Sequence, residues 1–217
     1  MAEKARRRAP SRWGEGGGLR QEIIVAAGRL LADSGSEEGL SLRAVAREVG
    51  IAAPSIYLHF KDRSELVVAV MQEVYGGLAA DLAAARARGV ADGGPEAGLR
   101  EMAHRYCAFA LENPRRYRLM FGVEQNTISA ERAADHPVQQ IIGLWTEALG
   151  ACARSGRPEG RSLARPEVLL WAGLHGLLAL WTALPFDPEL GAAYAYADDL
   201  IAVMLAEYAR MGTDSHR

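Results

Sequence analysis

Between Ser41 and Arg63 the chain sets out side chains suited to a polyanion. Arg43 carries a guanidinium whose fork matches the O6 and N7 acceptors of guanine. Ala53, Pro54 and Ser55 are small or apolar, able to lie against thymine methyls, with one hydroxyl among them. Tyr57 and His59 flank the apolar Leu58 and direct donors outward from a helix end, where phosphate oxygens are the natural acceptors. Lys61, one of two lysines in the chain, follows at once. Single residues keep their blander alternatives: Tyr57 as a packed core aromatic, His59 as a surface histidine, Arg43 as a solvated arginine or a phosphate clamp. Elsewhere Glu101, His104, Cys107 and Glu112 could be imagined as a catalytic set. No nucleophile motif, metal-ligand spacing or phosphate loop accompanies them, which argues against an enzyme, a metal site or a cofactor. Cys107 and Cys152 share no redox-like spacing and read as packed thiols of a reducing cytoplasm.

These groups need helices to hold them. Residues 1–18 are rich in Arg, Gly and Ser without periodicity and read as a flexible basic arm. From Leu19, the residues Ile23, Ala26, Ala27, Leu30 and Leu31 share one helical face, and Gly35 supplies a C-cap. Ser41 suits the N-cap of a second helix, with Leu42, Val45, Ala46 and Val49 inward, and Gly50 breaks it. A third spans Ala52 to Leu58, with Pro54 tolerated in its first turn. Asp62 and Glu65 form a capping-box pattern opening a fourth, to about Ala85, striped by Leu66, Val70, Val74 and Leu78. Residues 89–95 read as a linker. Helical patterns resume over 96–112, 114–122, 135–154, 166–184 and 189–210. With no strand-like alternation, the fold expected is all-α with about nine helices.

Two short helices joined by a tight turn at Gly50 have the geometry of a helix-turn-helix, in which the second helix enters the major groove. The segment LSLRAVAREVGIAAPSIYLHFKDRSEL, residues 40–66, resembles the signature of the TetR family of repressors, the likeness covering roughly residues 19–70. The resemblance implies an N-terminal three-helix DNA-binding domain, residues 19–66, and a helical ligand-binding and dimerisation domain, residues 67–212. It further implies that Tyr57 and His59 contact the DNA backbone and that Arg63, matching a family lysine, grips phosphate with help from Lys61. Arg43 matches an arginine that reads bases in some members. The DNA-facing set is then Ser41, Arg43, Ala53, Pro54, Ser55, Tyr57, His59, Lys61 and Arg63. Strong base readers are few, so DNA shape, or the arm in a minor groove, would supply part of the specificity.

In the body, Trp171, Gly173, His175 and Gly176 resemble the Trp-His-Gly domain of a subset of these regulators, with Trp171 and His175 one turn apart on one face. Tyr106, Phe109, Met120, Phe121, Trp145, Trp171 and His175 would line a pocket for a mid-sized apolar effector of unknown identity. Each could equally be plain core. Gly173 and Gly176 each cost about 1 kcal/mol in a helix relative to Ala, so either close helix approach or room for a ligand is needed to explain them.

The net charge of −2 alone does not suggest a nucleic-acid binder, but its distribution does. Residues 1–12 carry Lys4, Arg6, Arg7, Arg8 and Arg12 against Glu3, a net of +4, while residues 67–217 carry 14 arginines against 18 carboxylates, a net of −4. A basic arm on an acidic protein reaches phosphates. No apolar segment follows the arm, so it is not a secretory signal. The run Val168 to Leu184 is too short and mixed for a membrane span. It reads as an interface helix: Leu169, Leu177, Leu180, Trp181 and Leu184, with Tyr194, Leu200, Ile201, Met204 and Leu205, would pair the last two helices in a homodimer on a roughly palindromic duplex. The expected function is a ligand-responsive repressor. The alternative is the same DNA-binding fold with a body that binds a protein partner or no ligand.

Overall fold

The computed structural model describes residues 16–34, 40–122, 136–154, 165–183 and 189–210, and among them every regular element is a helix. The elements are α1 (Gly16–Ser34), α2 (Leu42–Val49), α3 (Ala53–Ile56), α4 (Arg63–Glu112), α5 (Pro114–Gly122), α6 (Val138–Arg154), α7 (Pro166–Ala183) and α8 (Leu190–Arg210). They divide into two compact units, one of residues 1–74 and 115–133, the other of residues 75–114 and 134–217. Helix α1 starts at Gly16 rather than Leu19, so residues 16–18 of the expected arm are its first turn. The rest of that arm, with its arginines, lies outside the described residues, as do Gly35 and Leu184.

In the first unit Ile23, Ala27 and Leu31 of α1 are fully buried at helical spacing. They pack with Val45, Ile56, Leu66 and Val70, which are likewise closed to solvent. Burying such side chains is the main stabilising term, roughly 1.5–3 kcal/mol each relative to exposure.

The second unit is organised by α4. The expected linker at 89–95 is not a loop: only Gly93 and Gly94 leave helical geometry, Gly94 at φ 84°, a left-handed conformation that suits a residue without Cβ. Pro95 opens the next arm, as proline opens helices generally. The fourth and fifth expected helices are therefore two arms of one element, giving eight elements among the described residues instead of about nine. The arms fold back on each other. Arg105 on the second arm donates to Asp81 on the first at 2.7 and 3.2 Å across a separation of 24 residues. In a straight helix those residues would lie about 36 Å apart. Near the bend the arms touch through backbone, since a Cβ built on Gly89 would sit 2.5 Å from the carbonyl oxygen of Ala97.

Helices α6, α7 and α8 complete this unit. Arg86 pairs with Glu147 of α6 at 3.0 Å, and Asp198 of α8 receives Arg100 at 3.0 Å and His104 at 2.9 Å. Such partly exposed pairs stabilise little and chiefly fix register. The apolar stripes do the packing: Leu170, Leu174 and Leu178 on α7, and Ala193, Ala197, Ile201 and Met204 on α8, are buried at four- and three-residue spacing. Ile201 and Met204 thus belong to the chain's own core and not to an outward face. The large apolar residues left exposed among the described residues of these helices are Leu169, Leu180, Leu190, Tyr196 and Val203. Gly173 marks a close approach, its missing Cβ lying 2.7 Å from Leu200 Cδ2, whereas a Cβ at Gly176 meets nothing within 4 Å.

Two alanine substitutions are expected to act with opposite sign. Gly89→Ala must push a Cβ against the Ala97 carbonyl and is expected to cost about 1–3 kcal/mol. Gly77→Ala, in open space on the same arm, should gain about 0.5–1 kcal/mol from helix propensity. Thermal denaturation of both variants checks this, and equal shifts would show that the arms do not meet at Gly89.

Candidate nucleic-acid interface and body interior

Helix α2 starts after Ser41, whose backbone is extended at φ −113°, ψ 125°, and whose hydroxyl makes no capping bond. The helix ends at Gly50 in the left-handed region, φ 77°, ψ 29°. This lets the N–H of Gly50 return to the Arg47 carbonyl at 3.2 Å and that of Ile51 to the Ala46 carbonyl at 2.9 Å. A side chain at Gly50 would be strained there, so the sharp turn depends on glycine. Helix α3 follows from an N-cap at Ala52 with Pro54 in its first turn. Its regular part is shorter than the expected Ala52–Leu58. Turns continue its sense, His59 N–H reaching the Ile56 carbonyl at 2.9 Å and Phe60 N–H the same oxygen at 3.0 Å. Val45, Ala46 and Ile56 form the buried wedge between the two helices, with Val49 and Ile51 half-buried at its rim. Phe60 closes it from below, and the Arg20 guanidinium of α1 lies 4.9 Å over the Phe60 ring, a cation–π contact.

On this scaffold Ser41, Arg43, Pro54, Tyr57, Lys61 and Arg63 are exposed, and Ala53, Ser55 and His59 are half-buried. Tyr57 is 60% exposed, so it is not a core aromatic. Leu58 is 84% exposed, more than any other large apolar residue of the described chain. An apolar side chain so exposed between two polar aromatics is suited to a sugar or a thymine methyl. The capping box at the head of α4 holds this edge in place. Glu65 N–H donates to Asp62 Oδ1 at 2.9 Å, and Glu65 Oε2 accepts the Lys61 N–H at 2.7 Å.

In the body the structure brings four of the seven expected pocket residues together. The Trp171 Nε1–H donates to the Tyr106 hydroxyl at 3.0 Å. Tyr106 meets Trp145 edge to face, centroids 6.1 Å apart and planes at 81°. Trp171 and His175 lie 6.2 Å apart, tilted at 41°. Phe109 is buried one turn beyond Tyr106 on the same arm. Met120 and Phe121 lie on α5 beyond Pro114, in the unit of the helix-turn-helix, while the other five lie in the second unit. From Arg115 onward α5 packs in that unit, with Arg115 paired to Asp33 of α1 and Phe121 set edge-on to Tyr117 at 5.1 Å.

The residues of the imagined catalytic set are engaged in packing and ion pairs. Burial, with a smaller contribution from Asp198, pushes the Cys107 thiol up to about 12, so it stays protonated. His104 bonds Asp198 and stacks on Tyr194 at 4.3 Å, and Glu112 pairs with Arg105 at 3.0 Å. No group of three metal-ligating side chains occurs among the described residues. Helix α4 is long and apolar enough to cross a membrane by composition, but its core stripe and the bend at Gly93–Gly94 fit the centre of a helical bundle.

Comparison with known proteins agrees with this geometry. Residues 23–70 match the family described as bacterial regulatory proteins, tetR family, and residues 99–208 match a tetracyclin repressor-like C-terminal domain, which is of the Trp-His-Gly type. An HTH-type transcriptional regulator of Mycobacterium tuberculosis is 29% identical over 221 residues, covering 88% of this chain and 93% of that one. Among solved structures, the regulator FadR of Bacillus subtilis in complex with stearoyl-CoA superposes at a TM-score of 0.71 with 13% identity, covering 86% of this chain and 97% of that one. The fatty acid degradation regulator FadR of Bacillus halodurans does so at 0.69 with 15% identity, covering 86% and 94%. At these identities the structural likeness concerns the fold.

His175 gives a pH prediction. Burial lowers its pKa below the usual 6.5, so the folded chain prefers neutral imidazole. The unfolded chain then binds the proton more readily, and stability is expected to fall as pH drops from about 6.5 through the lowered value. His175→Gln should flatten that part of the stability profile, measured by urea unfolding between pH 7.5 and 5. An unchanged slope would show that His175 titrates as in water.

Proposed function

The chain belongs to the TetR family of bacterial regulatory proteins, and from that premise we propose that it is a cytoplasmic, ligand-responsive transcriptional repressor that binds a roughly palindromic operator as a homodimer. The family is one of regulators, not of enzymes. The observation that carries the reading is the edge formed by Arg43, Tyr57, Leu58, Lys61 and Arg63. These side chains are exposed around a helix-turn-helix whose own core is closed.

Roles follow from chemistry. Tyr57, Lys61 and Arg63 donate to phosphates and set register, which carries no base information. Arg43 reads guanine, and Leu58 with Ala53 and Pro54 contacts apolar base edges. Residues 1–12 add phosphate contacts through their net positive charge. The homodimer is supported by Leu169 and Leu180 on α7 and by Leu190, Tyr196 and Val203 on α8, apolar side chains exposed on the last two helices. A two-fold copy would cover them and present two recognition helices to two half-sites. The effector is supported by the Tyr106, Trp145, Trp171 and His175 cluster, and by the stearoyl-CoA held by the similarly folded FadR of Bacillus subtilis. For an effector to regulate, it must bind one arrangement of the reading heads more tightly than the other.

Single substitutions separate the roles. Arg63→Ala and Tyr57→Phe should weaken binding to every duplex by a similar factor. Arg43→Ala should also change the preferred sequence, at about 1–3 kcal/mol for a lost bidentate guanine contact. Fluorescence anisotropy on the operator and on duplexes with single base changes measures this. If Arg43→Ala leaves the ranking of duplexes intact, Arg43 does not read bases.

A further inference from the structure

We propose that Trp145 is the polar anchor of the effector site, and that the effector is a neutral, largely apolar molecule bearing a hydrogen-bond acceptor such as a ketone, ester or lactone carbonyl. This rests on the effector reading above and names the ligand class.

Trp145 is wholly closed to solvent, and its indole Nε1–H has no hydrogen-bond partner among the described residues. A buried donor left unpaired costs about 1–3 kcal/mol, and the great majority of buried polar groups find partners. A phenylalanine would fill most of the same volume without that cost, so the donor calls for an explanation. Its neighbours do not take it up: the Tyr106 hydroxyl accepts from the Trp171 N–H, and Tyr106 meets Trp145 through ring contact. The indole therefore sits in an aromatic cluster with its hydrogen available to an acceptor brought from outside.

Charge then narrows the class. Among the described residues no charged side chain is buried, and the buried polar groups are those of tyrosine, tryptophan and cysteine. Three arginines of the body are held in partly exposed pairs, Arg86 with Glu147, Arg100 with Glu96 and Asp198, and Arg105 with Asp81 and Glu112. A carboxylate or phosphate beside Trp145 would gain one donor, lose its hydration and meet no buried counter-ion. A plain hydrocarbon would leave the N–H unpaired. A neutral carbonyl accepts the N–H and leaves the remaining surface apolar. A lone water in its place would need two to four polar partners of its own.

Three probes of matched length test this on the full chain: methyl decanoate, decanoate and decane. Trp145→Phe removes the donor and identifies the Trp145 signal among the four tryptophan indole resonances. In the wild type, methyl decanoate should move the Trp145 N–H resonance downfield. The ester should bind the wild type about tenfold more tightly than Trp145→Phe, about the 1.4 kcal/mol of one net hydrogen bond. Decane should bind the two chains equally, and decanoate more weakly than the ester. Equal affinity of the ester for both chains overturns the proposal, as does an unmoved Trp145 resonance or preference for decanoate. A Trp145 resonance already at a hydrogen-bonded position in the free protein, or binding of none of the probes, overturns it too. If Trp145→Phe does not fold, the wild-type resonance alone decides, assigned through its contacts to the Tyr106 ring. DNA affinity measured in the same titration keeps the two readings apart. Ester binding through Trp145 that leaves operator affinity unchanged overturns the effector reading while the site stands.

Discussion

One helix has to satisfy two cores at once. Residues 63–74 of α4 close the helix-turn-helix unit through Leu66, Val67 and Val70, and from Tyr75 onward the same helix builds the body through Leu78 and Leu82. Its first arm, residues 63–92, is thirty residues of helix, about 1.5 Å of rise each. The capping box of Asp62 and Glu65 joins its head directly to Lys61 and Arg63. The chain changes unit again at Pro114–Arg115, and the Arg115–Asp33 pair holds α5 to the end of α1. The helix-turn-helix unit therefore contains two segments whose neighbours in sequence belong to the body.

The helix-turn-helix was legible because its signals are local. Gly50 must be left-handed, Ala46 must be small, and Asp62 and Glu65 sit at the spacing that reciprocal caps require; each is readable from a few neighbouring residues. The order of helices in the body followed from 3.6-residue periodicity in the same way. Periodicity says less about where a break lies. The stretch 89–95 holds three glycines and a proline, which suggested a loop, yet helix hydrogen bonds absorb Gly89 and only Gly93–Gly94 turn the chain. The reason for Gly89 is a carbonyl on the returning arm, a contact that no local pattern encodes.

The same limit separates what was found in the body from what was missed. Trp171 and His175 share a helical face, so their proximity was readable, and Tyr106 and Trp145 joined them by aromatic character alone. Met120 and Phe121 have that character too, and they follow Asn113-Pro114 on α5, in the other unit. On α8, Ile201 and Met204 looked like an outward face by hydropathy, and tertiary packing turned them inward while Val203 stayed exposed. That Trp145 lacks a hydrogen-bond partner is a property of three-dimensional surroundings and has no sequence signature.

The central claim is that this chain reads a specific duplex with two symmetry-related helix-turn-helix units. Its most direct measurement is selection of bound sequences from a pool of random duplexes at physiological salt, followed by footprinting on the enriched site. The account predicts an inverted repeat whose half-site centres lie about one helical turn, 34–36 Å, or a multiple of it apart, protected on one face. Enrichment of no sequence, or of a single unrepeated half-site bound by one chain, would contradict it.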